Sequence, residues 1–425
     1  MDRWTRRKFL TLSGVTAGAT LAAGGTALTW DDLMAAARGR PLPGDASILV
    51  LVTLYGGNDG LNTVIPAADK AYHDARPDLA YGEGEVLALG EGLGLNPSMR
   101  GFKALWEEGR LAIVRGVSYP RPDHSHFRSM AIWQTASPAG PVPTGWLGRW
   151  LDAVGHDPLR AIAIEPVLPP LLAGASGAGS TFRLGGGPVL PTGPLGGALA
   201  KLAGPEHGEH PLQTRVASSL SGLMAVDTKL RGARPDDEAD DDRQAQGASG
   251  GGQGKLAQQL DVVAKSIRSG VPARVYSVSL GGFDTHAAEK TTQSRLLGQL
   301  DGAVSGFLRE VRGAERGRKV VVAVYSEFGR RVRGNANQGT DHGTAGPMFI
   351  AGESVSGGFY GEQPSLTKLA DDDLIATTDF RDVYAPLLAE TLDTDPARVL
   401  GAGRTTMDFF LSPAADANGR AARQR

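Results

Sequence analysis

Seven consecutive residues from Ile48 to Leu54, reading Ile-Leu-Val-Leu-Val-Thr-Leu, leave almost no polar face for water to wet. An apolar run of that length, stopping at Tyr55-Gly56-Gly57-Asn58-Asp59-Gly60, is the pattern of a strand covered on both sides, as in a parallel sheet. The pattern recurs along the chain. Strands are expected at 111–117, 159–164, 273–280, 319–325 and 347–351, and helices at 98–109, 126–135, 256–269 and 291–311. Such alternation gives an α/β fold, a mostly parallel central sheet with helices on both faces, whose ligands gather at the carboxyl ends of the strands.

Composition narrows the chemistry. The 59 glycines and 26 prolines among 425 residues imply long loops around the sheet, where function often resides. With 44 basic against 46 acidic residues, the chain has no electrostatic footprint for a nucleic-acid backbone. The absence of cysteine excludes disulfides, thiolate zinc sites, iron–sulfur clusters and a cysteine nucleophile. Any metal must therefore be held by His, Asp, Glu or hydroxyl groups.

Residues 1–37 read as an export address. Arg3, Arg6, Arg7 and Lys8 form a positive start, and Thr5-Arg6-Arg7-Lys8-Phe9-Leu10 leads into a mildly apolar stretch from Leu12 to Trp30. Ala35-Ala36-Ala37 supplies small residues for a cleavage site, and the whole looks like a twin-arginine signal peptide. Export to the periplasm, cell surface or exterior is expected, with retention of the segment as an anchor left open. No later stretch is long and apolar enough to span a membrane. Residues 38–425 read as one domain carrying Gly- and Pro-rich loops, as at 171–197. It also holds an insertion at 231–255, where six acids between Asp236 and Asp242 precede a Gly-rich run that is expected to be disordered.

Polar residues recur where strands should end. The first strand delivers Asn58 and Asp59; the strand ending at Leu280 leads to Phe283-Asp284-Thr285-His286; the strand ending at Tyr325 leads to Ser326-Glu327-Phe328-Gly329-Arg330. A loop then brings Asp341 and His342 to the start of the last strand. In a chain with eight histidines, Asp59, Asp284, His286, Glu327, Asp341 and His342 form a candidate ligand set for a divalent metal. Mixed imidazole and carboxylate ligands favour Zn²⁺ or Mn²⁺, leaving Ca²⁺ and Mg²⁺ open. Taken singly, Asp59 is also a good turn residue, and Asp341-His342-Gly343 a good cap or turn.

A metal centre that transfers a group also needs a nucleophile. Ser125 is the first candidate, since it precedes an expected helix whose N–H groups favour an anion, although a serine there also reads as an ordinary N-cap. Ser129 is a lesser one. His124 and His126 flank Ser125 as ligands, proton carriers or phosphate contacts, and Arg128 and Arg330 are candidates to grip an oxyanion, with Arg115 behind them.

These motifs together resemble the bacterial domain-of-unknown-function 1501 family. The residues that carry the likeness are the leader, Leu54-Tyr-Gly-Gly-Asn-Asp-Gly-Leu-Asn-Thr, Ser125-His-Phe-Arg-Ser-Met-Ala-Ile-Trp-Gln-Thr, Gly281-Gly-Phe-Asp-Thr-His and Ser326-Glu-Phe-Gly-Arg. The family is grouped with the alkaline phosphatase and sulfatase superfamily, which implies an alkaline-phosphatase-like sandwich, metal at strand ends and hydrolysis of phosphate or sulfate esters. By that resemblance, Asp59 corresponds to a first-strand ligand, Ser125 stands near the nucleophile, Asp284 with His286 looks like an Asp–His ligand pair, and His342 like a late His ligand. The sequence departs at Glu327-Phe328, where the two-metal hydrolases carry Asp-His. A second alignment places Asp341-His342-Gly343 on that motif and leaves the late His unassigned.

The expected function is an exported metal-dependent hydrolase of phosphate or sulfate esters, small or polymeric. The alternative is a non-catalytic exported binding protein on the same scaffold with a degenerate metal site, which Phe328 favours. The sequence names no protein partner.

Overall fold

Every residue of the strand Ile48–Leu54 is buried, and its alternate side chains enter two different cores. Ile48, Val50, Val52 and Leu54 join one apolar cluster, while Leu49 and Leu51 join another containing Trp133, Trp146 and Tyr384. That is the two-residue period of a strand sandwiched between helical layers, and it explains the unbroken apolar run.

The computed structural model describes residues 26–140, 142–155, 157–184, 256–314 and 319–411. The main sheet contains β1 (Thr26–Leu28), β2 (Ile48–Leu54), β3 (Leu111–Ser118), β4 (Ala161–Ala163), β5 (Ser180–Phe182), β6 (Val275–Leu280), β7 (Val320–Ser326), β8 (Gly346–Gly352), β9 (Gly358–Tyr360) and β10 (Thr378–Asp379). Their spatial order is β1-β5-β4-β6-β2-β7-β8-β3-β9, with β10 also pairing with β3. All neighbours are parallel except at β8, which runs against both β7 and β3. Its helices include α1 (Trp30–Gly39), α2 (His126–Thr135), α3 (Leu256–Ser269) and α4 (Glu289–Arg312).

A large, mostly parallel sheet with helices on both faces is the architecture that the sequence pattern predicts. The expected elements fall close to the observed ones, with two informative differences. The strand expected at 159–164 is cut to Ala161–Ala163 because Pro158–Arg160 forms a 3-10 turn capped by Asp157. The reversal at β8 has no trace in the apolar pattern, because a strand buried on both faces looks the same in either direction.

Parallel direction decides where the polar loops go. The carboxyl ends of β2, β3, β6 and β7 lie on one edge of the sheet, and β8, being reversed, begins there. The short hairpin Arg330–Gly334 with Thr340–His342 therefore returns the chain to that same edge before β8.

Part of the span read as an export address belongs to this fold: β1 pairs with β5, and Leu33 and Ala37 of α1 are buried. Residues 1–25, the insertion at 231–255 and positions 185–197 of the Gly- and Pro-rich loop lie outside the described residues. Among the described residues, no helix is long and apolar enough to cross a membrane.

Candidate metal centre

Two turns must touch for the strand-end residues to meet. Gly56 has φ +117°, and a Cβ there would sit 2.4 Å from the Asp284 nitrogen and 2.8 Å from the Phe283 carbonyl carbon. Only glycine lets the β2 and β6 turns approach this closely. Gly57 is similarly constrained by Phe328, whose ring would lie 2.2 Å from a Cβ.

The edge then brings four side chains face to face. His126, Asp284 and His342 each offer one ligand atom, all within 4.8 Å of one another. His126 Nε2 is 3.1 Å from His342 Nε2 and 3.5 Å from Asp284 Oδ2, and His342 Nε2 is 3.1 Å from Asp284 Oδ1. His286 Nε2 adjoins two of the three, at 3.0 Å from His342 Nε2 and 3.1 Å from Asp284 Oδ1. Ligands around a tetrahedral zinc with bonds near 2.0–2.1 Å are separated by about 3.4 Å, so these spacings suit one small cation.

The opposite ring nitrogens explain why these atoms face one another. His126 Nδ1 lies 2.8 Å from Glu327 Oε1, and His342 Nδ1 lies 2.8 Å from the His124 carbonyl. His286 Nδ1 lies 3.3 Å from Asp341 Oδ1. Each of these partners only accepts, so in the neutral ring Nδ1 carries the proton and Nε2 presents a bare lone pair. Three such lone pairs and a carboxylate repel unless something positive stands among them, and acceptors behind the rings are the usual support of metal-binding histidines.

The local electrostatics carry the same demand for positive charge. Burial opposes a charge on His126, yet its contacts with Asp284 and Glu327 outweigh this and push it up to about 9. Burial alone would raise Asp284, but hydrogen bonds with His126, His342 and Arg330 hold it far below the usual carboxylate range.

Several sequence candidates take other places. Asp59 is not among the converging residues: it is buried, its two oxygens pair with Arg76, and Leu61 N–H donates to it. Glu327 points at the back of His126 and also accepts from Gly56 N–H at 2.9 Å, so its link to the centre runs through that ring. Asp341 likewise stands behind His286. His126, a catalytic candidate by sequence, belongs to the ligand cluster.

Arg330 is not free for an oxyanion. Its side chain is wholly buried and donates to the carbonyls of Gly56, Gly57, Phe283 and Thr340 and to Asp284 Oδ1 at 2.7 Å. One guanidinium thus ties together the turns that build the site. Arg128 is exposed and pairs with Asp123. Arg115 is engaged by Gly361 and Glu91, and Ser129 by Tyr119 and the Asp123 carbonyl.

Ser125 occupies the N-cap position of α2, but its side chain makes no capping hydrogen bond; its N–H donates to Asp123 and its carbonyl accepts from Ser129 N–H. The hydroxyl, one residue before His126 in sequence, is left without a capping role. His124 Nε2 lies 2.7 Å from Asp373 Oδ2. Asp373 was not legible in the sequence, since it reaches the site from a two-residue turn, Asp371-Asp372, whose φ values of 51° and 63° nothing in the sequence announces. Phe328 is buried, with its ring centroid 4.8 Å from that of His126 and 5.0 Å from that of His342, so it packs the ligands instead of binding.

No curated protein matches this sequence. Among solved structures, the chain is similar to Ps i-CgsB in complex with a neocarrahexaose, at 10% identity and TM-score 0.41 over 85% of this chain and 75% of that one. It is similar to murine ectonucleotide pyrophosphatase/phosphodiesterase 5 in complex with AMP, at 9% identity and TM-score 0.39 over 85% and 98%. A third similarity is to the lipoteichoic acid synthase LtaP from Listeria monocytogenes, at 9% identity and TM-score 0.35 over 92% and 80%. Over residues 205–403, which hold Asp284, His286, Glu327, Asp341 and His342, the chain matches the family described as "Protein of unknown function (DUF1501)", the family its motifs resemble.

Proposed function

We propose that this chain is an exported, metal-dependent hydrolase of phosphate or sulfate esters. The observation that carries the metal is the convergence of His126, His342 and Asp284, with His286 adjoining, each imidazole backed by an acceptor at Nδ1. An imidazole-rich set with one carboxylate suits Zn²⁺ first and Mn²⁺ second. When bound, a divalent cation supplies the positive charge that polarises an ester oxygen.

The chain's own groups supply the rest. Ser125 has a hydroxyl without a capping role and stands at the start of α2, whose first N–H groups have no side-chain cap and attract an anion. It is our nucleophile for the phosphorus or sulfur centre. His124, beside it in sequence and held by Asp373, is the base we assign to receive the hydroxyl proton. The twin-arginine motif at Arg6-Arg7 supports export.

A second reading, a binding protein on the same scaffold, draws support from Phe328, which stands where the resemblance implies a histidine ligand, and from Arg330, which is wholly buried and engaged by four carbonyls and Asp284. One experiment separates the two. Protein purified without chelator is analysed for metal by mass spectrometry and screened against phosphate and sulfate esters with added Zn²⁺ or Mn²⁺. Bound metal with turnover supports the hydrolase; bound metal without turnover selects the binding protein; no uptake of any divalent ion overturns the centre itself.

A further inference from the structure

Most of the segment Thr26–Gly39 falls inside residues 1–37, the stretch that reads as a leader, yet it is built into the domain. Thr26, Ala27 and Leu28 pair in parallel register with Ser180, Thr181 and Phe182, extending the main sheet by one strand. Thr29 then opens α1 with a reciprocal capping box, its hydroxyl accepting from Asp32 N–H while its own N–H donates to Asp32. Leu33 is 0% exposed and Ala37 8%, both within the cluster that holds Val50, Val52 and Val263. Trp30 packs edge-on against Phe182, with centroids 6.3 Å apart.

The Ala35-Ala36-Ala37 triplet is therefore helical and partly core. Arg40 N–H donates to the Ala36 carbonyl at 2.9 Å, closing the last turn over the bond after Ala37. A peptidase needs its substrate locally unfolded, and a helix held by buried side chains on a packed core denies that. A cut after Ala37 would also remove strand β1 and the apolar face of α1, baring the core they cover. In the sequence before Thr26, Ala17-Gly18-Ala19 offers small residues at the two positions a signal peptidase reads.

We propose that Thr26–Gly39 stays in the mature protein and that proteolytic maturation cuts the chain before Thr26. The existence of a cut rests on the export reading; the packing of α1 stands without it.

Two measurements on the full chain test it. The first is the intact mass and N-terminal sequence of protein recovered outside the cytoplasm, expected to begin at or before Thr26; a mature terminus at Arg38 overturns the proposal. The second is the melting temperature of unexported full-length Leu33→Asp, expected to fall by at least about 5 °C. An unchanged melting temperature overturns the proposal too, because a leader residue outside the fold would tolerate the charge. If the protein recovered there still begins at Met1, it was exported uncut and the proposed cleavage is overturned, while the Leu33→Asp result decides whether Thr26–Gly39 is part of the fold.

Discussion

Glu327 Oε1 lies 2.8 Å from His126 Nδ1, while the other nitrogen of the same ring faces Asp284 Oδ2 at 3.5 Å. A buried carboxylate thus aims an imidazole at the centre without joining it. Glu327→Gln keeps the size and the acceptor but removes the charge, and we expect divalent-metal affinity to fall about 10- to 100-fold. Competition against a chelator of known affinity measures this; an unchanged affinity would remove Glu327 from the support of the centre.

His126→Ala and Asp284→Ala should each abolish stoichiometric metal binding while circular dichroism stays native. Ser125→Ala should retain metal and lose at least about a thousandfold in ester turnover. Metal retained in both ligand variants would defeat the assignment of the cluster, and full turnover in Ser125→Ala would transfer the nucleophile's role elsewhere.

Asp59 gives the opposite pattern. Its carboxylate is paired with Arg76, both side chains being 0% exposed. Asp59→Ala leaves a buried guanidinium without its counter-charge and should cost about 3–5 kcal/mol in chemical denaturation. Native-state metal stoichiometry should not change. A lost ion with undiminished stability would instead make Asp59 a ligand.

Beside that pair, burial and then the Asp59 carboxylate push Glu289 up to about 9. Thr340 Oγ1 donates to it, and the Arg76 guanidinium partly offsets the rise. Its folded value lies above the unfolded one, so the folded state binds the extra proton. The associated stability is full below the ordinary Glu value near 4.3 and is lost as pH rises towards about 9. Glu289→Gln, which mimics the protonated side chain, should flatten this fall. Melting temperatures of chelator-treated parent and variant between about pH 5 and pH 10 test it, and parallel curves would count against a neutral Glu289.

The fold was legible wherever burial leaves a one-dimensional trace. Near-continuous apolar runs marked β2 and β7, apolar runs interrupted by Arg115 and by Ser277 and Ser279 marked β3 and β6, and the three-to-four-residue period marked α3 and α4. Asp284 and His342 were legible because parallel strands deliver their succeeding loops to one edge. The roles within the cluster were not, because a carboxylate that binds and one that aims a ring differ only by a few ångströms. Glu327 and Asp341 lie behind histidines, and Asp59 met a guanidinium seventeen positions along the chain. Arg330 looked like a substrate clamp, since nothing in a sequence tells how many carbonyls an arginine will find.

The converging residues come from positions 126, 284, 286 and 342, and the last is returned to the edge by the short hairpin that follows β7. No two adjacent strands assemble the cluster, so a nascent or partly folded chain has nothing with which to compete for an ion. For the metal centre proposed above, sheet assembly and capture would be one event. The ion would then be drawn from whichever compartment the protein folds in, and its identity would record the metal supply of that place, wherever the finished protein goes to work.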